Sequence, residues 1–293
     1  MSMRVTTATI YESNARNLQT SISNLSKAQN AASSQSKLAL PSDDPAAVAQ
    51  ALQVRGALKA NDQYSRNIDD ANGWLTTADT ALSQTSSLLR AARDLVIQGS
   101  NGSMSTSARN DVATQLESIR DSLMSQANTT YLGRSIFAGS SDTPAAFDAS
   151  YAFTGVPGSS VQRRVGDGQT VRVDVDGAAV FGSGPNSVFA ELDTVINSLR
   201  TGADPSSGIA MIDARMQALW AAQGQVGASE STVGMATTNN ANRKLDLQSQ
   251  QSCLENVDSA QAIMDLTMKN NVYTASLLVT SKALQTNLMD FLR

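Results

Sequence analysis

IMDLTMKNNVYTASLLVTSKALQTNLMDF, residues 263–291, is the stretch from which the rest of the chain can be read. Ile263, Leu266, Tyr273, Leu277, Leu284 and Phe291 return at alternating steps of three and four, with Asn270, Thr280 and Asn287 at the remaining stripe positions and Leu288 beside the last of these. Such a repeat is the seam of a coiled-coil helix, and a seam needs a partner helix to cover it. The first thirty-odd residues offer one, because Ala8, Tyr11, Ala15, Leu18, Ile22, Leu25 and Ala32 follow the same spacing. The two ends of the chain are therefore expected to pair, with the middle built out from the pair.

Composition agrees with long helices and narrow seams. Of 293 residues only 4% are aromatic and 16% charged, while Ala, Ser, Thr, Asn and Gln recur throughout. The formal net charge of -4 leaves no electrostatic footprint for a nucleic acid or an anionic membrane, so neither is expected as a partner. The chain contains no histidine, which removes the commonest general base and the commonest metal ligand together. No glycine-rich phosphate loop follows a strand, and no nucleophile stands beside a base. No catalytic residue, cofactor or metal site is expected, and an enzyme is the reading the composition disfavours most. The single cysteine, Cys253, permits no internal disulfide and reads as a small residue on a helix flank. No window is apolar enough to span a bilayer, and the first residues lack the apolar core of a secretory signal.

In chain order, residues 1 to about 38 read as an amphipathic helix. Leu40-Pro41-Ser42-Asp43-Asp44-Pro45 then breaks it and starts another, with Ser42 or Asp43 as the cap and Pro45 in the first turn. The pair Asp43 and Asp44 is assigned to capping, not to a metal, because no third ligand stands nearby. From Ala46 a long helical stripe runs through Leu52, Ile68, Leu75, Leu82, Leu89 and Val96, and Trp74 beside it reads as a packing residue. Gly99-Ser100-Asn101-Gly102-Ser103 is a turn, after which Ser105 or Ser107 caps a helix with Val112, Leu116, Ile119 and Leu123 on its face. These two helices are expected to form an αα-hairpin.

After Tyr131-Leu132-Gly133 the chain becomes rich in Gly, Val, Asp and Pro. Thr170 to Asp176 alternates with period two and ends in Asp176-Gly177, read as a hairpin turn, while Val161 to Val165 supplies a partner strand. Asp174 and Asp176 share a face, which is read as solvated and not as a cation site. Helix returns with Val188, Leu192, Val195 and Leu199, stops at Thr201-Gly202-Ala203-Asp204-Pro205 and resumes near Gly208. Residues 224–242 carry Gly224, Gly227 and Gly234, each costing about 1 kcal/mol against Ala in a helix interior, so this part is expected to be helical only when packed. From Arg243 the pattern of Leu254, Val257 and Ala260 feeds into the terminal stripe.

At this point the local motifs resemble those of flagellin-like axial proteins of the bacterial flagellum. The likeness covers the whole chain and is carried by Pro41-Ser42-Asp43-Asp44-Pro45, by Asn67-Ile68 to Leu75 with Leu82, by Ala127-Asn128-Thr129 leading to Ile136-Phe137-Ala138-Gly139, and by Tyr273-Thr274-Ala275-Ser276-Leu277. Flagellin proper usually reads Ala-Lys-Asp-Asp-Ala-Ala-Gly in the first of these places, so the sequence is similar to the hook-associated junction members of the family. The resemblance implies a mainly α fold: an elongated flagellin-like helical bundle with paired N- and C-terminal coiled-coil helices and a small β-rich insertion domain. Its expected divisions are a terminal coiled-coil domain of residues 1–40 plus 258–293, a helical core of 41–139 plus 188–257, and a β-rich insertion of 140–187.

The resemblance also implies a structural, non-enzymatic subunit, exported unfolded through the flagellar type III apparatus without a cleaved signal and placed extracellularly between hook and filament. Its implied partners are copies of itself in a ring, hook-associated protein 1, flagellin and a flagellar export chaperone. The expected assembly interface is Leu18, Ile22, Leu25, Ile263, Leu266, Tyr273, Leu277, Leu284, Leu288 and Phe291. The alternatives are a minor flagellin and, from another class, a secreted coiled-coil effector, which would need an apolar hairpin or a basic amphipathic face that the sequence lacks.

Overall fold

A computed structural model describes residues 7–37 and 44–291, with the side chains of 7, 8, 10, 11 and 283–291 left undescribed. Among the described residues seven α-helices carry the fold: α1 Thr7–Ser34, α2 Pro45–Gly99, α3 Thr106–Ala127, α4 Gly177–Phe181, α5 Val188–Thr201, α6 Ser207–Glu255 and α7 Ser259–Phe291. Two antiparallel ribbons interrupt them, β1 Thr130–Tyr131 with β2 Arg134–Ser135, and β3 Gln162–Gly166 with β4 Gln169–Arg172. The fold is mainly α with a small β insertion. The chain divides into two compact units, residues 1–59 with 244–293 and residues 60–243.

The larger unit holds the main core. Its α2 stripe of Ile68, Trp74, Leu75, Leu82, Leu89 and Val96 is buried, as are Val112, Leu116 and Leu123 of α3, and Leu192, Val195 and Leu199 of α5. α6 is one helix straight through its three glycines, because Val226, Val233 and Ala236 are buried beside them and supply the packing the glycines lack. α3 also lies along α5. Ion pairs staple that contact, Arg200 to Glu117 at 2.8 Å and Arg120 to Asp193. The predicted Ser105 cap is present, with its hydroxyl accepting from the Ala108 amide.

Phe137, Phe147, Phe181 and Phe189 cluster with ring centroids 5.2 to 6.0 Å apart and are continuous with the core of α2, α3 and α5. Two readings of this region are overturned. Asp176-Gly177 makes no hairpin turn: β4 stops at Arg172, and Asp176 caps α4, accepting from the amides of Ala178 and Ala179. Glycine is needed at 177 because a Cβ there would sit 2.7 Å from the Phe137 carbonyl oxygen. The ribbon turns instead at Asp167-Gly168, where Gly168 has φ +70°. Asp174 does not face solvent either. Its side chain is fully buried and accepts from the Val161 amide at 2.7 Å and from the Arg172 guanidinium at 3.1 and 3.0 Å, which locks β4 to the start of β3. The short ribbon β1–β2 was not anticipated. Its two-residue turn places Leu132 at φ +48° and Gly133 at φ +80°, a left-handed backbone that costs a residue with a Cβ about 1–2 kcal/mol. Trp74 is a packing residue, edge-on to Tyr131 at 5.8 Å, with the Arg163 guanidinium 5.9 Å from its ring centroid.

Candidate functional site: the paired terminal helices

The smaller unit brings the two ends of the chain together, α1 lying along α7. Where α2 begins, the cap is Asp44, whose carboxylate accepts from the Ala47 amide at 2.9 Å; Ser42 and Asp43 lie outside the described residues. The terminal stripe is not continuous with α6, contrary to the sequence reading. The helix ends at Glu255, and Asp258 restarts it by accepting from the Ala260 amide at 2.9 Å. The two breaks, after α1 and before α7, are tied to each other. The Lys37 amide donates to the Glu255 carbonyl at 2.7 Å and the Val257 amide to the Gln35 carbonyl at 3.1 Å, forming a single antiparallel bridge between Ser36 and Asn256. Arg55 closes the arrangement on Glu255 at 2.7 Å, and that hydrogen bond, with the attraction of the charge, holds the carboxyl below its ordinary pKa.

Four of the ten residues expected at the interface lie in the α1–α7 contact. Over residues 12–30 of α1 the less exposed positions are Asn14, Leu18, Ser21, Leu25 and Ala28; over residues 259–282 of α7 they are Ala262, Leu266, Lys269, Tyr273, Ser276 and Thr280. Both sets alternate steps of four and three, as a coiled-coil seam does. Leu18, Leu25, Leu266 and Tyr273 thus face the partner helix within the chain. Ile22, Ile263 and Leu277 are exposed instead, and the side chains of Leu284, Leu288 and Phe291 lie outside the described residues. Leu18, Leu25, Leu266 and Tyr273 keep their places while the alternate positions shift by one residue toward small side chains: Ser21 where Ile22 was expected, Ala262 for Ile263, Ser276 for Leu277. The hydroxyls of Ser21 and Ser276 meet at 3.4 Å.

That slip leaves bulk outside. Met264, Met268, Val272 and Val279, between 49% and 61% exposed, follow one another with Ala275 at steps of four, four, three and four. They form a second apolar stripe that flanks the α1-facing one. Beside it runs a groove of about 270 Å³ between Asn14, Leu18, Val272 and Val279. The sequence carries the signal for this stripe, since the same spacing rule finds it; it was hidden because the first stripe absorbs the larger residues. A helix with two apolar stripes is built to be covered on both.

The most enzyme-like cluster is elsewhere and is structural. Tyr151 donates to Asp193 at 2.8 Å, and Asp193 also receives Arg120. Burial and the bond to Asp193 raise the Tyr151 pKa, which makes it a poorer nucleophile, and the cluster ties the residue 150 loop to α3 and α5. Among the described residues no three His, Cys, Asp or Glu side chains gather as a metal site, and no helix is long and apolar enough to cross a membrane. Cys253 is exposed on α6.

Comparison with known proteins places this arrangement. The bacterial flagellin N-terminal helical region matches residues 5–142 and the flagellin C-terminal helical region residues 209–292. Flagellar hook-associated protein 3 of Salmonella typhimurium is 30% identical over 213 residues, 68% of this chain and 67% of that protein. The chain belongs to the bacterial flagellin family. A solved flagellar hook-associated protein from Vibrio parahaemolyticus matches this flagellin-family fold with a TM-score of 0.67 at 25% identity, over 73% of this chain and 99% of that one. A flagellin of Halalkalibacterium halodurans is 26% identical over 277 residues, 92% of each chain. The family assignment makes the chain a component of the bacterial flagellum.

Proposed function

We propose that the chain is a structural, non-enzymatic subunit at the junction between the flagellar hook and filament, where a ring of copies joins hook-associated protein 1 below and offers flagellin a surface on which to polymerise. The observation that carries this reading is the second stripe of α7. Met264, Met268, Val272 and Val279 remain 49% to 61% exposed, as expected of a helix that finishes its packing against neighbouring subunits. The expected interface of Leu18, Ile22, Leu25, Ile263, Leu266, Tyr273, Leu277, Leu284, Leu288 and Phe291 divides accordingly. Leu18, Leu25, Leu266 and Tyr273 hold α1 on α7, and Ile263 and Leu277 join the outer surface. The likeness to hook-associated protein 3 supports the junction position.

Export proceeds through the flagellar type III apparatus, with a chaperone holding the C-terminal region beforehand. A chain with one cysteine has no internal disulfide to obstruct threading. The test is a deletion strain. Its hooks should lack filaments, with flagellin shed into the medium, and the wild-type chain in trans should restore filaments. A minor flagellin is the second reading, favoured by the match over 92% of the Halalkalibacterium halodurans flagellin; a strain that keeps its filaments after deletion would decide for it.

A further inference from the structure

The tip of the β1–β2 ribbon carries an apolar side chain where local preferences oppose one. Leu132 is 80% exposed and occupies the first central position of a two-residue turn at φ +48°, followed by Gly133 at φ +80°. Asn, Asp or Gly normally stands there, because the left-handed region strains other side chains. The ribbon beneath it is firmly mounted. Tyr131 lies edge-on to Trp74 and so close over Gly73 that a Cβ there would come within 2.2 Å of the phenolic oxygen. Ser135 is buried, and Arg134 reaches Asp142 at 3.3 Å. A strained and exposed leucine on a rigid base is a preorganised prong.

The same unit carries a hollow of matching character. Between α2 and α3 an open depression of about 540 Å³ has Leu95 and Ile119 among its lining residues, with small Ala91 and Ser118 beside them. Asp94 also lines it and is exposed, while Arg134 stands two residues from Leu132, so the charges beside prong and hollow are complementary. Arg134, 39% exposed, also donates to the Ser140 carbonyl at 3.5 Å; its pair with Asp142, which is 93% exposed, is a surface contact that costs little to exchange.

We propose that Leu132 of one copy of this chain seats in the Leu95–Ile119 hollow of a second copy, with Arg134 against Asp94. Prong and hollow are different patches of one chain, so the contact is head-to-tail and repeats from copy to copy, closing into a ring or continuing as a helix. The inference rests on the reading above that the chain assembles with itself.

Leu132→Asn tests it, because asparagine suits the turn while removing the prong. The purified variant should melt at the same temperature as the parent or higher, yet the fraction of cells keeping filaments after mild shear should fall at least tenfold. Parental filament retention overturns the proposal. The occupant is tested by L132C with S118C in a C253A background, oxidised on isolated hooks. A ladder of covalent multimers is expected, with none from L132C alone and none from L132C with S122C. No ladder while labelled chain sits at the hook tip overturns the contact and leaves the junction reading standing. If the chain is absent from hook tips, the junction reading fails, and the contact is then decided by oxidising the purified double-cysteine chain at high concentration: a ladder keeps it, and its absence overturns it.

Discussion

Asp174 illustrates how a single residue can change meaning between sequence and structure. In an alternating stretch it reads as half of a solvated acidic face, but it is the buried acceptor for both the Val161 amide and Arg172. Asp174→Ala leaves a buried N–H unsatisfied and takes the carboxylate from the Arg172 guanidinium, which keeps only the Ser159 carbonyl, and should cost about 2–3 kcal/mol in denaturant unfolding. Gly73 is another such position. It brings no side chain to the α2 stripe, and it is the floor on which Tyr131 rests. Gly73→Ala gains helix propensity but must push the phenol aside, so the net effect should be a loss of about 1–3 kcal/mol, with the near-ultraviolet signal of Trp74 altered. Glu255 gives a pH signature. Its folded pKa lies below the unfolded value of about 4.3, so the stability it contributes is complete above that pH and is lost as pH falls through the depressed folded value. Glu255→Gln should flatten the stability profile below about pH 4.3, measured by urea unfolding across that range.

At the scale of the element, α7 separates the two jobs of a terminal helix. Met268→Asp with Val272→Asp changes only exposed positions, so the melting of the purified chain should move little, by less than about 0.5 kcal/mol per site, while electron microscopy of the complemented deletion strain should find bare hooks. Tyr273→Ala acts on the α1-facing stripe and should loosen α1 from α7, seen as faster amide exchange in both helices. The helix itself, its period and its need for a partner were legible in the sequence. Which stripe faces α1 was not, because a one-residue slip at alternate positions exchanges Ile22 for Ser21 and Leu277 for Ser276. Periodicity counts apolar bulk, and intimate helix packing rewards small side chains.

For the whole molecule, the division into residues 60–243 and the two ends places the phenylalanine cluster and the α2, α3 and α5 core in one unit. A fragment of residues 60–243 should therefore fold cooperatively by itself, with calorimetry giving one transition. In the full-length monomer, amide exchange in residues 7–34 and 259–282 should be faster than in the core of α3 and α5, because the end helices bury one narrow seam only. The sequence alone determined the mainly helical fold, the β excursion, the meeting of the ends and the family, since each is written in local periodicity and in motifs that survive without knowledge of neighbours. The tertiary structure alone decided that α3 rests on α5, that Asp176 starts a helix and Asp174 is buried, that alternate positions of the terminal seam slip by one residue, and that Leu132 stands out from its turn. Each of these depends on which surfaces reach each other in space, and a pattern along one chain gives the period of a face without giving what lies opposite it.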